Sequence, residues 1–382
     1  MNLKQIILAA TVVAAIGAEA AVAVSNVVCT QRYPWNGKVD IDYEVFADDP
    51  AADVWVYATG FDKDANVSMG VRAISGEGAN APVKPGKHRM TWDVTADYPG
   101  FNSTAFTVKM TALTGGAPYM VVDLSGGVDA LSYPVSYLSS VPAGGWTDEY
   151  KTTKLVLRLI PPGTFMMGSP SDELGRQNNE TLHQETLARP FYIGVFELTQ
   201  KQWELVMGYV PHDNYRNDCY PVGNVSYVDV RGSVNGLGWP THNQVDANSF
   251  MGRLRSKVNM FFDVPTEAQW EYACRAGTST ALNSGKSLTN INLSEVGRFK
   301  GNGNAPTKVG SYRSNVWGIY DMHGNAQEVC LNRTNSDCVE RGGTWGYEAE
   351  RCRSAVRRGV SVTTRWNDYD WTGFRVVCLP AE

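Results

Sequence analysis

Polar and apolar residues alternate along Lys38-Val39-Asp40-Ile41-Asp42-Tyr43-Glu44-Val45. A period of two puts one face of a strand into a core and leaves the other in water. Residues 54–58 and 106–110 repeat the pattern, and turns such as Ser75-Gly76-Glu77-Gly78 and Lys84-Pro85-Gly86-Lys87 lie between them. Short strands separated by Gly/Pro turns predict a small all-β sandwich of immunoglobulin-like kind over residues 27–120, without the Cys…Trp…Cys pattern of antibody domains. Residues 121–153 are rich in Gly, Ser and Pro, as in Pro142-Ala143-Gly144-Gly145, and read as a linker, with a strand at 119–122 running into it.

The pattern changes from Leu155 onward. Residues 155–160 form an apolar strand stopped by Pro161-Pro162-Gly163. Thr199 can cap a helix over 200–207 that stops at Gly208, and Thr266 can cap another over 267–274 ending before Gly277. In the second helix Cys274 follows Trp270 by four and Ala273 follows Gln269 by four, which gives one face turned to a core. A third helix is expected over 245–257. The rest of 154–382 is Gly- and Asn-rich loop, so the pattern describes an α+β domain with low regular secondary structure.

The N-terminus adds a compartment. Lys4, the apolar run over 6–16 and the small residues at Ala18-Glu19-Ala20 or Ala21-Val22-Ala23 read as a signal peptide over 1–23. The run is short of the roughly 20 residues a membrane span needs. A secreted, periplasmic or cell-surface protein with no membrane span after cleavage is expected, and disulfides are allowed there. Seven cysteines leave at least one thiol unpaired within the chain. A net charge of -5 without a basic run excludes nucleic acid as a partner. The five histidines are scattered singly and give no zinc spacing.

Six segments in order carry a resemblance. They are Pro161-Pro162-Gly163-Thr164-Phe165-Met166-Met167-Gly168-Ser169; Phe196-Glu197-Leu198-Thr199-Gln200-Lys201-Gln202-Trp203; Pro221-Val222-Gly223-Asn224-Val225-Ser226-Tyr227; Pro265-Thr266-Glu267-Ala268-Gln269-Trp270-Glu271-Tyr272-Ala273-Cys274-Arg275; Asn315-Val316-Trp317-Gly318-Ile319-Tyr320-Asp321-Met322-His323-Gly324-Asn325; and Arg341-Gly342-Gly343-Thr344-Trp345 with Gly373-Phe374-Arg375-Val376-Val377. Together they resemble the formylglycine-generating (sulfatase-modifying factor) family across about 154–380. The resemblance implies an α+β fold related to C-type lectins.

Active members of that family oxidise a substrate cysteine with O2 and Cu(I) held by a Cys-x4-Cys pair, since soft thiolates suit Cu(I). Aligned from Gly343, the positions matching that pair are Tyr347 and Cys352; aligned through Arg353-Ser354-Ala355-Val356-Arg357, which resembles the family's Arg-x-Ala-x-Arg, Cys352 is a framework residue, and either way the pair is broken. Cu(I) is therefore not expected, and Cys352 is the candidate catalytic residue, with a buried thiol or half of a disulfide as the other reading. The resemblance also implies a disulfide between Cys274 and Cys352. It places structural Ca2+ at Gly324-Asn325-Ala326-Gln327-Glu328, with Asn325 and Glu328 as hard oxygen ligands. The His-x3-His-x-Glu iron motif of related enzymes is absent from the chain.

Relatives of this fold also display ligand-binding surfaces between the R-G-G-[ST]-W and G-F-R-V segments. Tyr, Trp and Arg dominate binding hot spots, and Tyr347, Arg365, Trp366 and Tyr369 form the candidate surface here. Trp345 is expected in the core and 365–371 as an exposed loop. The sequence thus reads as an exported module that binds a glycan or protein ligand. The alternatives are a divergent formylglycine-generating oxidase or other metal-dependent oxidoreductase, and a structural module of a cell-surface assembly.

Overall fold

A computed structural model describes residues 22–379 except 63–66, 72, 80, 99, 102, 104, 115–116, 212–214, 234–243, 334–335 and 364–370. The expected leader falls outside the described residues save Val22 and Ala23. Those two pair with Ala47 and Phe46 in the first strand. The chain forms two compact units, the first running to Ala117 with Pro161–Gly163 and Gly277–Ser279, the second comprising the remainder.

The first unit contains β1 (Val22–Gln31), β2 (Lys38–Ala47), β3 (Val54–Asp62), β4 (Val67–Gly70), β5 (Ile74–Gly76), β6 (Gly86–Asp93), a single helical turn α1 (Val94–Asp97) and β7 (Phe106–Thr114). Sheets β1-β2-β6-β5 and β4-β3-β7 contribute to one core. The alternation over β2 does what it predicts: Val39, Ile41, Tyr43 and Val45 are buried while the polar residues between them face outward. Trp92, Phe106 and Phe101 pack edge to face in that core.

The second unit begins where a linker was expected. β8 (Tyr119–Asp123) and β9 (Val135–Leu138) pair with each other, and β8 pairs with β10 (Lys154–Ile160), with the short helix α2 (Glu149–Thr152) before it. β8 matches the strand expected at 119–122, whereas turn composition hid β9, because Gly and Pro in 124–145 mark loops around a short strand as readily as a linker. β11 (Gly163–Met167) and β12 (His183–Leu187) make a two-stranded sheet, and β13 (Phe191–Gly194) joins β10.

The helices follow their caps. α3 (Gln200–Met207) starts at a Thr199–Gln202 capping box and ends at a left-handed Gly208, as expected. α4 (Tyr227–Arg231) has a box at Ser226–Asp229 that the sequence reading overlooked. α5 (Phe250–Val258), capped by Ser249, starts later than the expected Val245. Beyond β14 (Phe262–Asp263) comes α6 (Glu267–Arg275), with its Thr266–Gln269 box. It buries Trp270, Ala273 and Cys274 completely.

After α7 (Asn290–Ser294) the strands β15 (Gln327–Arg333), β16 (Asp337–Arg341), β17 (Arg357–Ser361) and β18 (Thr372–Gly373) form a sheet in the order β17-β16-β15-β18. β19 (Val377–Cys378) closes the chain between β13 and β14 in the larger sheet β14-β19-β13-β10-β8-β9. No helix among the described residues is long and apolar enough to cross a membrane.

Candidate functional site

The site region is built by the turn after β16. Gly342 and Gly343 both lie in the left-handed region, and a side chain at Gly343 would stand 2.5 Å from the Arg351 carbonyl and 2.8 Å from the Cys352 sulfur. The turn carries the Trp345 amide onto the Asn325 carbonyl at 3.1 Å and drops the indole into the interior. There it meets Tyr215 (5.5 Å, edge to face), which also touches Trp371 at 5.6 Å. Trp345 is in the core, as expected. Trp371 is buried too, against its placement in an exposed loop, because Gly223 leaves room for it: a Cβ there would sit 2.2 Å from the indole. Tyr215 is the outer, half-buried member of this aromatic face. It belongs to no motif, and only the fold brings it to Trp345. Arg365, Trp366 and Tyr369 lie outside the described residues.

Tyr347 is 9% exposed, so it is more core than surface. Its hydroxyl bonds the Arg358 guanidinium, and the Arg351 guanidinium lies 5.0 Å from its ring. Beneath it Cys352 is fully buried in an apolar cluster with Leu282, Leu293, Val296 and Phe299. Burial pushes its thiol up to about 12. At pH 7 the thiolate is then roughly one part in 10⁵, and it is the thiolate that attacks or binds metal.

The implied Cys274–Cys352 disulfide is not formed: all seven cysteines are free and buried. His323 stands against both residues. Its Nε2 lies 3.9 Å from the Cys274 sulfur and accepts from the Asn283 amide at 3.0 Å, and its Nδ1 is 2.7 Å from the Cys352 carbonyl. Those partners assign the proton to Nδ1. Burial pulls His323 down to about 4, opposed by the bond to that carbonyl. The Cys274 thiol is pushed up to about 12, also by burial.

Asn325 and Glu328 are spent on another task. The Asn325 amide donates to Glu197 at 2.6 Å and its oxygen accepts from the Thr307 N–H at 2.9 Å. Glu328 takes Arg375 on both oxygens, at 2.5 and 2.6 Å, and the Trp270 indole N–H at 2.7 Å. Oxygens already facing N–H donors, with a buried guanidinium between them, do not fit Ca2+, and the implied Ca2+ site is not built. Among the described residues no group of three or more His, Cys, Asp or Glu is placed to hold a metal. Burial raises Asp321 to about 6 and raises Glu197 well above the usual carboxylate range, with the Asp321 and Glu328 charges adding to the effect on Glu197. The Gly-Asn and Gly-Phe-Arg segments thus form one buried polar network. A second, with the same character, joins Glu271 to Arg275 and Arg341.

These networks lie on the segments that carried the resemblance, and the family model for the sulfatase-modifying factor enzyme 1-like domain matches residues 147–379. The chain belongs to that family. A chaperone protein, LppX, from Paenibacillus barcinonensis is 27% identical over 41% of this chain and 69% of its own length. Among solved structures, PvdO from Pseudomonas aeruginosa is similar at 24% identity and a TM-score of 0.48, covering 59% of this chain and 94% of that one. Treponema denticola variable protein 1 is similar at 21% identity and a TM-score of 0.48, over 59% and 96%. The CarF structure is similar at 18% identity and a TM-score of 0.37, over 58% and 99%. Tyr347, which one alignment to the family sets at the first copper position, is a phenol held by Arg358. Cys352, set at the second by the same alignment, is an enclosed thiol whose pKa burial pushes up to about 12.

Proposed function

We propose that this chain is an exported binding protein whose sulfatase-modifying-factor-type domain has given up oxidation for ligand recognition. One observation carries the reading: of the two positions that hold copper in active relatives, Tyr347 offers a phenol, a poor ligand for a soft cation, and Cys352 offers a thiol that burial keeps protonated. A relative named as a chaperone supports a binding role. The recognition surface is the half-buried Tyr215 over Trp345 and Trp371, flanked in sequence by Arg365, Trp366 and Tyr369. Rigid aromatic area with arginines nearby suits a glycan or protein ligand.

Two measurements on the mature protein test this. Anaerobic Cu(I) titration with a sulfatase-peptide oxidation assay should give neither stoichiometric tight binding nor turnover. Both together, lost in Cys352→Ser, would make the protein an oxidase. A glycan array and capture from cell-surface protein should yield a ligand whose affinity falls at least tenfold in Tyr215→Ala and in Trp366→Ala. Retention of full affinity by both variants would remove the proposed surface.

A further inference from the structure

One edge of the larger sheet is open. β9 ends that sheet, with β8 on its inner side and, among the described residues, no strand on its outer side. The register fixes which backbone groups face outward. Met120 lies opposite Tyr137, Val121 opposite Ser136 and Val122 opposite Val135, and the Asp123 N–H donates to the Pro134 carbonyl at 2.8 Å. Hydrogen-bonded and non-hydrogen-bonded pairs alternate along an antiparallel ladder, so Pro134, Ser136 and Leu138 turn their backbone groups to β8. Val135 and Tyr137 turn theirs away, which puts two N–H and two C=O groups in a row on the outer edge. The missing N–H of Pro134 is on the inner side and does not blunt that edge.

Sheet edges are commonly guarded by charge, proline or a bulge. β17 carries Arg357 and Arg358, β12 carries His183 and Glu185, and β1 is interrupted by a bulge between Ser25 and Val28. β9 has no such guard, for no charged residue occurs from Ala130 to Trp146 and its register against β8 is unbroken. Three exposed apolar side chains belong to the same segment, Leu131 at 98%, Tyr137 at 46% and Val141 at 42%. An uncharged open ladder with apolar residues beside it invites another strand.

The outward groups also select which strand. A two-fold axis through Ser136 sets Val135 opposite Tyr137 of a second copy, and Tyr137 opposite that copy's Val135. All four outward groups of each copy then meet their complements, and each tyrosine lies beside a β-branched side chain, a favourable cross-strand pair. A strand from a different protein would need a matching sequence, whereas a second copy is matched by symmetry alone. We propose that β9 pairs antiparallel with β9 of a second copy of this chain, joining two sheets into one across a two-fold axis. The pairing is independent of the aromatic face.

Sedimentation velocity of the mature protein tests this. A four-residue edge with a few apolar neighbours falls below the roughly 1,200 Å² of a standard interface, so the dimer should be weak, with a dissociation constant on the order of 10 μM. Ser136 is exposed, and across the axis it faces its own copy in the closely spaced, non-hydrogen-bonded position. Ser136→Lys and Ser136→Glu each place like charges opposite one another there and should weaken the dimer at least tenfold, with circular dichroism unchanged. Mixing the two variants brings opposite charges together and should restore association. A protein that stays monomeric at about 200 μM (well above that constant), a dimer that both variants leave intact, or variants that associate no better mixed than alone would each overturn the proposal.

Discussion

Acidification should set two buried groups of the second unit against each other, and one substitution should separate them. His323 falls from an ordinary value of 6.5 to about 4 in the folded chain. A base whose folded value is depressed contributes stability that is complete above the unfolded value and lost as pH falls toward the folded one. Over that window the loss is about 3 kcal/mol, at ~1.4 kcal/mol per unit. Asp321 has the opposite sign, since its folded value of about 6 lies above the ordinary 3.8. Its contribution is complete below 3.8 and lost as pH rises through 6, again about 3 kcal/mol. Between pH 4 and 6 the two slopes cancel in the native protein.

His323→Gln removes one of them. Urea unfolding at half-unit steps from pH 7.5 to 4, followed by tryptophan fluorescence, gives the stability of variant and native protein at each pH. The variant will be the less stable at pH 7.5, having lost an imidazole bonded on both nitrogens. The informative quantity is the difference between the curves, in which every other titrating group cancels. The variant should gain on the native protein by about 1.4 kcal/mol per pH unit as pH drops from 6.5 to 4. Parallel curves would refute the reasoning, for they would mean that His323 titrates alike folded and unfolded. Asp321→Asn supplies the mirror image, losing stability relative to the native protein over the same interval.

Three further outcomes are expected. Arg375→Met strands the Glu328 carboxylate in the core and should cost about 3–5 kcal/mol, part of which Glu328→Gln in the same chain restores, measured by a double-mutant cycle. Cys274 and Cys352 should resist iodoacetamide at pH 7.5 in the native protein and label fully in denaturant, by mass spectrometry; a Cys274–Cys352 crosslink in the native protein would instead show the pair to be oxidised. Gly223→Ala places a methyl group against the Trp371 ring and should cost about 1–3 kcal/mol, read as a lower melting temperature with altered tryptophan fluorescence.

The sequence by itself determined the elements whose signals are local. Alternation marked β2, β3 and β7, the threonine caps marked α3 and α6, and six ordered segments placed the chain in its family. Each of these can be read within about a dozen residues. Tertiary structure alone decided what the marked residues do. Glu328 reads as a cation ligand until Arg375, 47 residues away, takes both its oxygens. Asn325 is claimed by Glu197 across 128 residues, and the unit's Arg353–Glu180 pair spans 173. Cys352 reads as a catalytic remnant until its neighbours enclose it, and Trp371 reads as exposed until Gly223 makes room for its ring. Tyr215 carried no signal at all. Hydrogen-bond capacity and desolvation are properties of neighbourhoods, and only folding brings residues this far apart in the chain into one.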